Sequence, residues 1–314
     1  VLAHYQTRPL DLRVLLDGPN VRVYALRLGG RVLATLLAAA EGGMESEALR
    51  DGIFMGQRRP RGHLLPQTLS AHGGLRDAPR LRYLRVVRVA VHPALWRQGL
   101  GGRLLRRLAL DGRREGLDLI GASFGATPGL ITFWAACGHR PALLGTSRNA
   151  ASGEHAVVML RPLSPAGWRL ADRAQGRLEA GLGVLLAGPL RRLDPLVAAA
   201  LTRTLGGVDP SQNQGRAADP AGDDAEARRE LASFVRGHRG LEAALPRLAD
   251  LARRCLGHAL RAGILDLEDG ALLIAAVRQL RPVHELVDLA GVSGRESLIQ
   301  RLRKLVGRLA EPGR

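Results

Sequence analysis

Apolar and polar positions change their rhythm along this chain. Val21–Leu28 and Arg31–Ala40 read as two strands joined at Gly29-Gly30, a hairpin. A short helix is expected over Leu10–Leu16. Residues 41–82 are rich in Gly, Pro and Arg, show little periodicity, and read as irregular. Arg85–Val91 sets Val86, Val87, Val89 and Val91 around Arg88 and reads as a buried strand. Leu104, Leu105 and Leu108 give Gly101–Glu115 a helical period; a strand over Leu117–Ser123, a helix over Pro128–Cys137 and a last strand over His155–Leu160 follow. Strands and helices alternating in this way predict an α/β (α+β) fold with a mixed sheet flanked by helices. After Pro162, Pro165 and Gly167 the pattern turns helical, which sets expected domains at 1–163 and 164–314. The second is an all-helical C-terminal domain with a mobile polar loop near 206–224. It ends, over 283–309, in two helices around an Ala290–Gly294 turn that look like a helix-turn-helix, and Arg295, Arg301, Arg303, Lys304 and Arg308 make the second of them basic. That basic face reads equally as an RNA contact or as the wet side of a packed bundle.

Composition narrows the classes. Hydrophobic residues make up 46% of the 314 positions but aromatics only 3%, so the core is built of Leu, Val and Ala. No apolar run is long enough to span a membrane and no signal peptide opens the chain. Cys137 and Cys255 form neither a disulfide framework nor a metal site, which fits a cytoplasmic protein without a bound metal. The 46 Lys+Arg against 29 Asp+Glu leave a net charge of +17, which points to a polyanionic partner, with a plain basic surface as the alternative. Lys304 is the single lysine, and that preference for Arg reflects coding bias rather than function. The chain begins at Val1 without a methionine, as expected of a fragment of a longer protein or of a processed or misassigned start.

The chemistry concentrates in Arg88–Leu105, RVAVHPALWRQGLGGRLL. A β-branched strand ends at His92-Pro93, a turn leads to Gly99-Leu100-Gly101-Gly102, and a leucine-rich helix begins. Glycines let the backbone approach a ligand, and the N–H groups of the turn and the new helix converge on one place, a site suited to a pyrophosphate. No G-x-x-x-x-G-K-[ST] sequence occurs, so no ATP site of that kind is expected in this chain.

The order V-x-V-x-P, then G-x-G-G, then x-L-L resembles the pyrophosphate loop of the GCN5-related N-acetyltransferase (GNAT) superfamily. Further stretches narrow the resemblance: Arg59–Gln67 (RPRGHLLPQ), Val87–Pro93, Ser123–Pro128 (SFGATP), Phe133-Trp134 with Cys137-Gly138, and Ala150–His155 (AASGEH). In that order they look like the tRNA(Met) cytidine acetyltransferase family. The resemblance implies a GNAT sheet, acetyl-CoA as cosubstrate, and formation of N4-acetylcytidine at the wobble position of elongator tRNA(Met). It also implies a helicase-like ATPase domain that this chain does not contain. The pantetheine arm would pair with Val89, Ala90 and Val91, and the phosphates would sit on Trp96, Arg97, Gln98, Gly99, Leu100, Gly101 and Gly102. Trp96 stands where the superfamily usually has Gln or Arg; Gly129 and Ala136 stand where the family commonly has Glu and Arg. These departures motivate an alternative, a weakened or inactive paralogue acting as an RNA-binding module. A GNAT enzyme acting on a protein or small amine is the other.

Acetyl transfer to the weakly nucleophilic N4 of cytosine needs positioning, a route for a proton and a donor for the thioester oxygen. Arg88, His92 and His63 are the candidate catalytic residues. Arg58, Arg59, Arg61 and His63 form the candidate RNA-binding loop. Cys137 reads as a small buried hydrophobe, and Ser152 lacks the G-x-S-x-G context of a hydrolase nucleophile.

Overall fold

The structure, a computed structural model, describes residues 20–150, 152–206 and 225–310. The helix expected over Leu10–Leu16 and the expected loop beyond Gly206 lie outside these residues. The described chain forms two compact units. The first takes in positions up to Gly125, Phe133–Gly145 and Ala156–Leu178; the second takes in Ala126–Thr132, Thr146–His155 and the described positions from Glu179 onward.

The first unit is built on a six-stranded sheet in the order β1-β2-β3-β4-β6-β5. β1 is Val21–Leu28, β2 Arg31–Gly42, β3 Arg82–Val91, β4 Leu119–Gly125, β5 Arg140–Arg148 and β6 His155–Pro162. β1, β2 and β3 run antiparallel, β3 and β4 parallel, and β4 and β6 antiparallel, so the expected mixed sheet is present. The expected hairpin turns at Gly29 and Gly30, both in the left-handed region. β3 begins three residues earlier than its valine run announces, because Tyr83 and Leu84 are buried on opposite faces. Tyr83 joins a cluster with Leu65, Leu69, Leu119, Leu160 and Leu170, whereas Leu84 lies toward Gly112 on the opposite face.

Two elements correct the reading of 41–82 as irregular. α1 is Glu47–Phe54, capped by the Ser46 side chain accepting from the Leu49 N–H, and α2 is Leu64–Ala71. α3, Leu100–Arg114, covers the sheet on the face of Leu84, burying Leu104, Leu105 and Leu108. α4 is Pro128–Ala136 and α5 Pro165–Ala187. β5 was not expected; it lies at the sheet edge, where Pro141 is tolerated because an edge strand has no ladder on one side.

The second unit contains α6 (Pro195–Thr204), α7 (Ala225–Val235), α8 (Leu241–Arg261), α9 (Leu267–Val277), α10 (Val283–Ala290) and α11 (Arg295–Ala310). α9 is buried along Asp269–Val277, the mark of a helix surrounded by others. α10 ends at Gly291 in the left-handed region, and α11 follows after a short turn. Four of the five basic residues of α11 find partners within the unit. Arg301 and Arg308 both donate to Asp269, Arg295 donates to Glu242, and Arg303 lies over the Phe234 ring. Arg295, Lys304 and Arg308 stay exposed all the same, so both readings of this face stand. No described helix is long and apolar enough to cross a membrane.

Candidate active site

β3 and β4 start as neighbours and then part. Tyr83, Leu84 and Arg85 pair with Leu119, Ile120 and Gly121, and the parallel ladder stops there. Beyond it β4 is paired with β6 through Gly125, while β3 stays with β2 through Val91. A bulge helps to turn β3: Arg88 faces Leu37 and Val86 faces Ala38, which leaves Val87 as the extra residue. Val86 is buried, but Val87–Val91 are only half-buried, so the far half of β3 is less enclosed than its valines suggest.

Backbone direction in this half follows from one hydrogen bond. The His92 N–H donates to Leu33 O at 2.9 Å, which points His92 toward β2. Residues alternate in a strand, so Ala90 also turns its backbone groups to β2, while Val89 and Val91 turn theirs to the side that β4 has left. The Trp96 indole confirms that sense: its N–H reaches round to the Val91 carbonyl at 2.9 Å. The Trp96 ring is 65% exposed, and its backbone N–H is given to Pro93 O. Among the described residues, Trp96 thus closes the end of this edge and leaves Val89 N–H, Val89 C=O and Val91 N–H unpaired along it.

The loop beyond is a run of special conformations. Arg97 has φ 62 and Gly99 φ 76, and Gly99 caps α3 without any side-chain bond. A non-glycine residue at positive φ costs about 1 kcal/mol, so the turn is held by its surroundings. The N–H groups of Leu100, Gly101 and Gly102 form the first turn of α3, where no intrahelical partner exists. Gly101 has a packing reason too: a Cβ there would stand 3.3 Å from Phe133 Cζ. His92 is exposed, and its Nδ1 accepts from the Ala94 N–H, so it caps the turn. Arg88 sits at the bulge, opposite Leu37.

Arg85, the last β3 residue paired with β4, also lines a cavity of about 440 Å³. Arg58, Arg59, His63, Gln67, Thr68 and His72 contribute to its walls. Three of the four residues expected to contact RNA therefore face one space; Arg61 is not among its walls. The end of β2 fixes this space. Glu41, with a fully buried side chain, pairs with Arg85 Nε at 2.5 Å and accepts from the Leu65 N–H at 2.8 Å. Gly42 donates its N–H to His63 Nδ1 at 2.9 Å. With Nδ1 accepting, a neutral His63 carries its proton on Nε2 and offers a donor there. Sequence reasoning missed Glu41, Arg85, Gln67, Thr68 and His72. The signal was an acid inside the apolar run LLAAAEG, which can be buried only with a partner.

Near α3, Cys137 is half-buried, and burial pushes its thiol up against the opposing pull of Arg161 and Arg106. It is a poor nucleophile. Ser152 sits in the turn before β6, accepting from the Glu154 N–H, with its own N–H given to Asn149. Ala136 is exposed, and a side chain at Gly129 would meet nothing. His139 is buried against Trp134 with ring centroids 4.8 Å apart, and burial, with Arg161 adding repulsion, lowers it from 6.5 to about 3. The folded chain keeps it neutral while the unfolded chain protonates it below pH 6.5. Its contribution is complete above that pH and is lost as pH falls toward 3, by up to ~1.4 kcal/mol per pH unit. Urea midpoints of the wild type should fall between pH 6.5 and 5 more steeply than those of His139→Gln; parallel curves would show the shift to be absent. Among the described residues, no group of three or more His, Cys, Asp or Glu is placed to hold a metal.

The family described as GNAT acetyltransferase 2 matches residues 1–113 and 109–164. The tRNA(Met) cytidine acetyltransferase TmcA of Nitrosococcus halophilus is 42% identical over 304 residues, covering 97% of this chain and 39% of that protein. Its namesake in Haloarcula marismortui is 37% identical, covering 98% of this chain and 39% of its own length. The chain thus spans about two fifths of the relatives it matches. A solved structure, the ribosomal-protein-S18-alanine N-acetyltransferase from Escherichia coli, is similar over 51% of this chain and 81% of that one at 16% identity and TM-score 0.35, a likeness too loose to carry weight.

Proposed function

Because the chain belongs to the GNAT acetyltransferase 2 family, we propose that it transfers the acetyl group of acetyl-CoA to N4 of a cytidine in tRNA, the wobble cytidine of elongator tRNA(Met). The observation that carries this reading is the parting of β3 from β4 at Arg85, between the glycine loop and the arginine-lined cavity. The unpaired groups of Val89 and Val91 suit the amides of a pantetheine arm laid along β3 like a missing strand. The N–H groups of Leu100, Gly101 and Gly102 suit the pyrophosphate. A thioester laid along that edge would be directed toward the end of the ladder, where Arg85 turns into the cavity.

In the cavity Arg58 and Arg59 balance phosphate charge, while Arg85, held by Glu41, His63 Nε2–H and the Gln67 amide offer hydrogen bonds to a pyrimidine nucleotide. The N4 lone pair attacks the thioester carbonyl carbon, the C–S bond breaks, N4 loses a proton and the leaving thiolate gains one. Val89 N–H, nearer the end of the ladder, is the backbone donor available to the developing oxyanion, and Val89 C=O and Val91 N–H are left to the arm. Arg88 and exposed His92 remain the side chains for substrate contact and proton relay. A helicase-like ATPase domain is the expected partner of this unit, and the cytoplasm its expected site of action.

Calorimetric titration with acetyl-CoA is the experiment. Saturable binding with Kd in the ~micromolar range is expected. No heat from a folded sample would leave an RNA-binding remnant as the better account; binding followed by acetylation of peptide but not tRNA would favour a protein acetyltransferase.

A further inference from the structure

Gly102, Arg106 and Arg113 of α3 recur at spacings that place them on one face of the helix. Arg106 folds back along that face to the first turn: a Cβ built on Gly102 would stand 3.8 Å from Arg106 Nη1 and 3.8 Å from Cys137 Sγ. Arg161 of β6 reaches the same neighbourhood from the other side of Cys137, with its Nε 3.4 Å from where a Cβ on Gly138 would be. The guanidiniums repel each other: Arg161 is lowered by burial first, then by Arg113 and Arg106.

Among the described residues, none of these arginines has a carboxylate partner. The contrast on the same helix is direct, since Arg107 and Arg114 both pair with Asp111. Three clustered positive charges, one half-buried and none neutralised, oppose folding and reward an anion. Their place selects the anion. Arg106 lies one helical turn, roughly 6 Å, beyond Gly102, beside the turn that receives the pyrophosphate on the reading above.

We propose that Arg106, Arg113 and Arg161 form a phosphate monoester subsite that holds the 3′-phosphate on the adenosine of acetyl-CoA. The inference rests on the coenzyme reading and adds a specificity to it: the chain distinguishes coenzyme A thioesters from their 3′-dephospho forms. A dianion at this point is shared between guanidiniums from α3 and β6, which ties the coenzyme's nucleotide end to the sheet as well as to the loop.

The test compares acetyl-CoA with acetyl-3′-dephospho-CoA by calorimetry on the full chain. Wild type should prefer acetyl-CoA by about 30-fold. Arg106→Ala/Arg161→Gln should reduce the preference to within about 3-fold, the loss falling mainly on acetyl-CoA. Arg106→Ala and Arg113→Ala alone, at exposed positions, should each remove part of it, and they keep the test valid if the Arg161 change unsettles β6. Equal binding of both ligands by wild type would overturn the inference and leave the coenzyme reading standing. So would a double variant that keeps the preference, or one that only loses tRNA retention and so marks the cluster as an RNA contact. Failure of wild type to bind either ligand would instead remove the coenzyme reading itself.

Discussion

Gly102→Glu should abolish acetyl-CoA binding, by at least ~100-fold, in a protein as stable as the wild type or more so. Two effects of the same side chain separate here. A Cβ at position 102 meets Arg106 Nη1 and Cys137 Sγ only at ordinary contact distance, so the backbone accepts it without strain. In a helix Glu is favoured over Gly by ~0.5–1 kcal/mol, and an acid in the first turn gains ~0.3–1 kcal/mol from the helix dipole. The carboxylate also reaches Arg106 and lies where the N–H groups of α3 would meet the pyrophosphate. Repulsion between like charges then acts against the coenzyme and not against the fold. Gly102→Gln, of the same size without the charge, should lose less than ~10-fold. Thermal melts alongside acetyl-CoA titrations of both variants check the pair. A Glu variant that binds as wild type does would show that the phosphates lie elsewhere.

Glu41→Leu should destabilise the first unit by about 3 kcal/mol and reduce acetylation of tRNA about 100-fold in what remains folded. The change strands two groups at once. The Leu65 N–H loses its acceptor, and Arg85, with 23% of its side chain exposed, loses its counter-charge. Both belong to the cavity frame, since the first turn of α2 and Arg85 form its walls. Displacing either by an ångström is enough to spoil alignment of an acceptor. Glu41→Gln keeps an oxygen for Leu65 and should cost about half as much. Adding Arg85→Leu to Glu41→Leu should restore part of the stability but no activity, because the uncompensated guanidinium is gone while the Leu65 N–H still lacks its acceptor and the cavity has lost its donor. Denaturant unfolding of the single and double variants reads the first part, and acetyl transfer the second. A double variant no more stable than the single would contradict the pairing.

The loop was legible because its signals are local. Proline at 93 ends β3, and glycines at 99, 101 and 102 punctuate the start of α3. The same is true of the β1–β2 hairpin, where Gly29-Gly30 supplies the positive φ values. α2 escaped notice because Pro66 stands in LLPQTLSA, although proline is tolerated in a first turn. α1 is a single short helix between glycines, recognisable only by its Ser46 cap. β5 carries Pro141 and Gly145 and owes its existence to β6 beside it rather than to its own alternation. Side-chain partnerships were the least legible. Glu41 meets Arg85 from 44 residues away, and Arg301 and Arg308 meet Asp269 from 32 and 39. Nothing in their local sequence announces these pairs, and the fold decides whether a basic stripe is offered to a partner or spent on packing. The same holds for Trp96, whose bond to Val91 O depends on the turn between them.

On the proposed function, the edge of β3, the loop at Gly99–Gly102 and the cavity at Arg85 act together to acetylate a cytidine in tRNA. Incubation of the purified chain with acetyl-CoA radiolabelled in the acetyl group, and with elongator tRNA(Met) transcripts carrying cytidine or uridine at the wobble position, tests it directly. Label is expected in the cytidine transcript, as N4-acetylcytidine, and none in the uridine transcript. Equal labelling of both transcripts, or label in the protein alone, would contradict it.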